Sequence, residues 1–107
     1  MLLTVFRNRL LPGHVEEYYE TAAKMSEIAR TMPGYISHKT FTAEDGERVT
    51  IAEFADEAGQ RTWSTEMRHV DAKKRGRAAF YAEYKLQVCE VLRESSFTAP
   101  SEASQEA

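Results

Sequence analysis

The dipeptide Asp45-Gly46 lies between two runs of residues that favour extended strands, and it constrains the fold more than any other feature of the chain. Asp-Gly is a strong short signal for a turn between antiparallel strands, because glycine readily adopts the positive φ angles that such turns require. Residues 35–54, which contain the dipeptide, are rich in Ile, Val, Thr, Tyr and Phe. The sequence therefore predicts a β-hairpin near the centre of the chain.

A strand and a helix are predicted before this hairpin. Residues 2–10 combine β-branched and aromatic residues with the alternation that is typical of a strand. Between Val15 and Met32, apolar residues recur at steps of three and four, which predicts an amphipathic helix. A Pro-Gly pair precedes this helix and another follows it, so both of its ends are marked.

A second helical region and a last strand are predicted after the hairpin. Asp56 is a suitable helix cap, and the helical region is predicted to run to about Gly76. The sequence allows either a continuous helix or a break near Ser64-Thr65. Residues 84–92 alternate as a strand. The order β-α-β-β-α-β predicts an α+β fold of the ferredoxin-like kind.

The chain is predicted to form one domain over residues 1–94, followed by a disordered tail over residues 95–107 that is rich in Ser, Ala, Glu and Pro. In this fold the helices cover one face of the sheet. The strand patterns leave Val, Ile, Leu or Phe on the other face as well, and monomers rarely expose a large apolar surface. We therefore predict a homodimer that pairs the uncovered faces.

Composition and charge exclude several classes of partner. A net charge of −3 over 107 residues argues against general nucleic-acid binding. Arg7 and Arg9 interrupt the apolar N-terminus, which argues against a membrane span and a secretory signal. The single Cys89 cannot form an internal disulfide, so we expect a cytoplasmic location. His14, His38 and His69 are scattered, and no spacing typical of a metal site or phosphate loop is present.

Four segments carry a resemblance to a known family. "NRLLPGHVEEYYE", "MPGYISHKTF", "ERVTIAEFADEAGQRTW" and "RHVDAKKRGRAAFYAEYKLQVCEV" resemble the antibiotic biosynthesis monooxygenases, which are dimeric α/β barrels. The resemblance covers about residues 2–93. It implies a pocket between sheet and helices in each protomer, lined by an Asn on the first strand and a Trp on the helix after the third. These positions correspond to Asn8 and Trp63.

Trp63 and His69 each allow a structural and a functional interpretation. On a continuous helix Trp63, Met67 and Val70 would form one apolar stripe, so the indole is either core alone or also a pocket wall. His69 would then point to another side of the helix and serve as a surface or capping residue. That argument lapses if the helix breaks. Independently of the break, an imidazole that titrates near neutral pH leaves His69 a candidate base.

Asn8 and the basic cluster "KKRGR" at residues 73–77 are the other polar candidates. Asn8 either bonds to backbone at the end of its strand or donates a hydrogen bond to a substrate oxygen, as the resemblance implies. The basic cluster is expected to remain solvated and to complement the dipole at a helix C-terminus, rather than to bind an anion.

Three functions follow as hypotheses. The first is a monooxygenase that uses no cofactor and oxidises an electron-rich aromatic such as a hydroquinone or anthrone with O2, with Asn8, Trp63 and His69 as the catalytic candidates. The second is a haem-binding or haem-degrading enzyme, although Lys73 stands where that branch of the family has a histidine. The third is a non-catalytic dimeric domain that binds a small ligand.

Overall fold

The computed structural model describes residues 1–100 and confirms the predicted order of elements. They are β1 (Leu2–Leu10), α1 (Val15–Ala29), β2 (Tyr35–Thr42), β3 (Arg48–Phe54), α2 (Glu57–Thr65), α3 (Met67–Arg75), a π-helix (Gly76–Phe80) and β4 (Tyr81–Glu90). The strands form one antiparallel sheet in the order β2-β3-β1-β4. This is the predicted α+β ferredoxin-like fold.

The hairpin between β2 and β3 forms where the Asp-Gly dipeptide predicted it. Gly46 has a φ of +91°, in the region that favours glycine. The amide of Ala43 donates to the carbonyl of Glu47 at 2.8 Å, and the Asp45 carboxylate accepts from the Glu47 amide at 3.0 Å. The aspartate thus stabilises the turn through its side chain.

The second helical region is divided into two helices, which is one of the two alternatives that the sequence allowed. The Asp56 carboxylate caps α2 by accepting from the Gly59 amide at 2.8 Å, which confirms its predicted role. Glu66 then adopts an extended backbone with ψ of 129° and caps α3, because its carboxylate accepts from the amides of Arg68 and His69. The condition for one apolar stripe of Trp63, Met67 and Val70, a continuous helix, is therefore not met, and Met67 is 70% exposed.

The last strand begins three residues earlier than predicted, at Tyr81 rather than at residue 84. The π-helix leads directly into it, and the Leu11 amide donates to the Phe80 carbonyl at 2.8 Å. The pairing of β4 with β1 also shifts register between Arg9 and Leu10. An irregular pairing of this kind is not visible in the alternation of apolar residues, from which the start was predicted.

The two faces of the sheet differ in what covers them. The helices cover the face that carries Thr4, Phe6, Ala52 and Phe54, and Phe54 has no exposed surface. The opposite face combines apolar side chains with ion pairs that Arg7 and Arg9 form with Glu47, Asp45 and Glu83. The strand registers place these apolar residues on that face: Leu3, Val5, Phe41, Val49 and Ile51.

Residues 95–100 of the predicted tail have no helix or strand, and residues 101–107 lie outside the described residues. Within residues 1–100, none of the helices combines the length and apolar character that a membrane span requires.

Candidate functional site

A cavity of about 450 Å³ lies between the sheet and the helices. This size is within the range of small-molecule sites, which are mostly apolar with a few polar groups. Its apolar wall comes from both layers of the fold and includes Phe6, Phe54, Phe80, Met25 and Leu86.

Trp63 and His69 both line this cavity, and they contact each other. Their rings stack with centroids 3.8 Å apart and an angle of 11° between the planes. The break at Glu66 makes this contact possible. On a continuous helix, side chains six residues apart would point in different directions, but here Trp63 and His69 lie on two separate helices. The argument that put His69 on another side of the helix lapses with the break, and the surface or capping role expected for His69 is wrong.

The hydrogen bond of His69 fixes the proton on its ring. Nδ1 lies 3.0 Å from the backbone carbonyl oxygen of Trp63, and a carbonyl only accepts, so Nδ1 carries the hydrogen. Burial lowers the pKa of the His69 imidazole below its ordinary value of 6.5, and this hydrogen bond only partly opposes the effect. The ring is therefore neutral near pH 7, and the lone pair of Nε2 is its proton acceptor.

The basic cluster at residues 73–77 does not remain wholly solvated, which corrects the sequence-based expectation. Arg75 forms an exposed ion pair with Glu17, as expected of a surface group. Lys73 and Arg77 instead line the cavity. The Lys73 ammonium donates to the Ser64 carbonyl at 2.7 Å, so it caps the end of α2 where the helix breaks.

Asn8 is buried, with 2% of its surface exposed, but it is not among the residues that line the cavity. It stands opposite Arg48 on β3 and Tyr84 on β4, and both of these residues do line the cavity. The Oδ1 atom of Asn8 has no hydrogen-bond partner among residues 1–100. Asn8 therefore lies between two residues that line the cavity and does not line it itself.

His38 is a cavity residue that the sequence analysis did not single out. Its Nδ1 lies 2.6 Å from the hydroxyl of Tyr35, and its Nε2 lies 3.0 Å from the hydroxyl of Ser26. The register of β2 shifts between Tyr35 and Ser37, and this irregularity places Tyr35 and His38 on the same face of the sheet. Burial lowers the pKa of the His38 imidazole.

Gly76 allows the Tyr81 ring to pack at one end of the cavity. A Cβ atom at position 76 would lie 2.5 Å from Cε2 of Tyr81. We expect Gly76→Ala to lower the free energy of unfolding by about 1–3 kcal/mol, because a methyl group in a filled space forces its neighbours to shift. Urea denaturation measures this loss.

A double mutant identifies the cause. In a Tyr81→Leu background the aromatic ring is absent, so Gly76→Ala should lower the free energy of unfolding much less than it does in the wild-type protein. Equal costs in the two backgrounds would show that the contact with Tyr81 is not responsible.

Comparisons with known proteins find one family model and several similar proteins. The model described as "Antibiotic biosynthesis monooxygenase" matches residues 1–75. The YqjZ protein of Bacillus subtilis (strain 168) is 29% identical over 80 residues, which cover 75% of this chain and 70% of YqjZ.

Solved structures share the fold. SnoaB, a cofactor-independent oxygenase from Streptomyces nogalater, has a TM-score of 0.73 and 17% identity, with 87% of this chain and 94% of SnoaB covered. Rv0793 from Mycobacterium tuberculosis has a TM-score of 0.78 and 14% identity, with 89% of this chain and 98% of that chain covered. At these identities the likeness shows the fold alone.

Proposed function

Because the chain belongs to the antibiotic biosynthesis monooxygenase family, we propose that it is a monooxygenase that oxidises an electron-rich aromatic small molecule with O2 and needs no metal, flavin or nicotinamide. The cofactor-independent oxygenase SnoaB, which shares the fold, supports this proposal. The observation that carries it is the stacked Trp63–His69 pair, which presents an oriented neutral base in a largely apolar cavity.

The chemistry requires little from the protein. A hydroquinone or anthrone that loses a proton becomes an anion that can pass an electron to O2 itself. One oxygen atom of O2 then forms a bond to a ring carbon, and the other leaves as water with the two hydrogens that the substrate gives up. The protein has to bind the substrate, take its proton and exclude water from the reacting atoms.

Each candidate residue has a distinct part in this proposal. His69 is the base, because the hydrogen bond at Nδ1 leaves the lone pair on Nε2 to accept the substrate proton. Trp63 is a wall of the cavity and holds the His69 ring by stacking and through its carbonyl. Asn8 is a positioning residue, since it is buried between Arg48 and Tyr84 on the neighbouring strands.

Oxygen consumption tests the proposal. With a panel of hydroquinones and anthrones in the presence of EDTA, the wild-type protein should consume O2 faster than buffer does, with one O2 per substrate. Trp63→Phe keeps an aromatic ring and most of the volume of the side chain, so a lower rate in a folded variant would reflect a role of the indole itself rather than a collapse of the cavity. A wild-type rate equal to that of buffer across the panel would contradict the proposal, and tight ligand binding without turnover would favour a non-catalytic binding domain.

Haem binding is the second candidate function, and the geometry of His69 favours it as well. A histidine that binds haem iron does so through a ring nitrogen whose partner nitrogen donates to a carbonyl or carboxylate, as Nδ1 of His69 does. Haem would supply the oxygen chemistry when bound. An aerobic titration decides between the candidates, because a protein that shows no saturable Soret shift does not bind haem.

We also propose that the protein is a homodimer and a cytoplasmic protein. The uncovered face of the sheet presents Val5, Val49 and Ile51 at its centre, and a second copy would bury them. Sedimentation equilibrium tests the dimer, and a single species at the monomer mass of 12.2 kDa at high concentration would contradict it. The cytoplasmic location is supported by the single Cys89.

A further inference from the structure

The cavity is cationic, although the protein as a whole is acidic. The formal net charge of the chain is −3. Arg48, Lys73 and Arg77 line the cavity, and within residues 1–100 no Asp or Glu does so. Three cations without a carboxylate around a largely apolar space favour a ligand that brings its own negative charge.

Arg48 is the cation that most needs such a partner. Its Nε and Nη1 atoms are buried, and they have no hydrogen-bond acceptor among residues 1–100. The guanidinium lies over the rings of Tyr18 and Tyr19, at 5.0 and 5.1 Å from their centroids. These ring contacts hold the charge in place but offer no lone pair to its N–H groups.

Glu47 precedes Arg48 in the chain and Glu83 lies on β4, and both carboxylates are already paired with other arginines. Glu47 accepts two hydrogen bonds from Arg7, and Glu83 accepts one from Arg9. Burying N–H groups of a charged guanidinium without acceptors is costly. A ligand oxygen that carries negative charge would remove that cost.

The hydrogen-bonded phenols of Tyr18 and Tyr81 add a neutral donor at the same end of the cavity. Their ring centroids lie 5.9 Å apart, and both residues line the cavity together with Arg48. Burial raises the pKa of both phenols, so both keep their protons at neutral pH. Because the two phenols are also hydrogen-bonded to each other, the pair offers one O–H to a ligand, and together with the guanidinium it forms a set of donors that suits an oxyanion.

We propose that Arg48 is the specificity-determining residue of the cavity and selects ligands with an ionised oxygen, either an enolate or a carboxylate, on an aromatic ring system. The proposal rests on the proposed function only in taking the ligand to be aromatic. The selection for charge follows from Arg48 and its surroundings.

Two matched pairs of compounds test the selection by isothermal titration calorimetry at pH 7. The first is 2-hydroxy-1,4-naphthoquinone, which is an enolate at this pH, against its neutral methyl ether. The second is 2-naphthoate against methyl 2-naphthoate. The wild-type protein should bind at least one anion about 10- to 100-fold more tightly than its ester or ether, as expected for hydrogen bonds to a charged group. The pair with the larger ratio shows which anion is preferred.

Variants of Arg48 assign the selection to this residue. Arg48→Gln should abolish most of the preference, and Arg48→Lys should keep part of it because the charge remains. The matched control is Arg61→Gln, which removes an exposed arginine that pairs with Glu57 on the surface of α2 and should leave the preference unchanged. Circular dichroism establishes that each variant is folded.

Two results would overturn the proposal. One is a wild-type protein that binds the neutral compound of each pair as tightly as the anion, and this result needs no variant. The other is a folded Arg48→Gln protein that keeps the full preference. Since binding is measured without turnover, a preference for anions in a protein that consumes no O2 would refute the proposed oxygenase activity and leave the role of Arg48 intact.

Discussion

Replacing His69 by glutamine should lower kcat/KM for quinol or anthrone oxidation by about 100-fold or more, the effect expected when a general base is lost. Glutamine has similar bulk and can still donate a hydrogen bond to the Trp63 carbonyl, so the local packing is largely retained. The variant lacks a lone pair that can accept a proton near neutral pH. Steady-state oxygen uptake on the wild-type protein and the variant measures the loss.

The pH dependence distinguishes a base from a structural residue. Because burial lowers the pKa of His69 below 6.5, the neutral, active form should predominate at pH 7, and kcat/KM should fall as the pH drops through that lowered pKa. This acidic limb should disappear in His69→Gln. His14→Gln is the control, since His14 is an exposed histidine beside Glu17, and it should keep both the rate and the limb. Unchanged activity in His69→Gln would remove His69 from the mechanism.

Replacing Phe54 by alanine should lower the free energy of unfolding by about 3–5 kcal/mol, the range for a buried phenylalanine. Phe54 is fully buried at the end of β3, where it packs edge to face on Tyr35 with centroids 6.2 Å apart. Its loss would enlarge the cavity and remove the support of one wall. For a domain whose total stability is on the order of 5–15 kcal/mol, this is a large fraction. Urea or guanidinium denaturation measures it.

Phe97→Ala is the matched control for Phe54→Ala. Phe97 is 87% exposed, so the same change of side chain should alter the stability by less than about 0.5 kcal/mol. Similar losses in the two variants would show that the burial of Phe54 does not account for its contribution.

The sequence predicted those parts of the fold that depend on local chemistry. Residues 2–10 form a strand with the predicted bounds, the Asp-Gly turn joins β2 to β3, and Asp56 caps α2. The turn and the cap are predicted from side chains that interact with nearby backbone, or from a glycine that suits the turn. The strand is predicted from residues that alternate between the two faces of the sheet. Such signals do not depend on distant parts of the chain.

The candidate site was less predictable, because irregular backbone positions it. The break at Glu66 brings His69 onto Trp63, and the shifted register of β2 brings His38 into the cavity. The role proposed for Arg48 depends on the lack of hydrogen-bond acceptors near its buried N–H groups within residues 1–100. Only a three-dimensional structure shows this. The polar residues before Glu66 indicated a break, but its consequence for His69 could not be derived from spacing alone.

We claim that this protein inserts an atom of O2 into an aromatic substrate without a cofactor, and isotope labelling tests this claim most directly. The metal-free protein is mixed with an anthrone under ¹⁸O2, and the product is analysed by mass spectrometry. We predict one ¹⁸O atom in each product molecule, formed faster than in buffer. A product that carries no ¹⁸O, or labelled product formed no faster than in buffer, would contradict the claim.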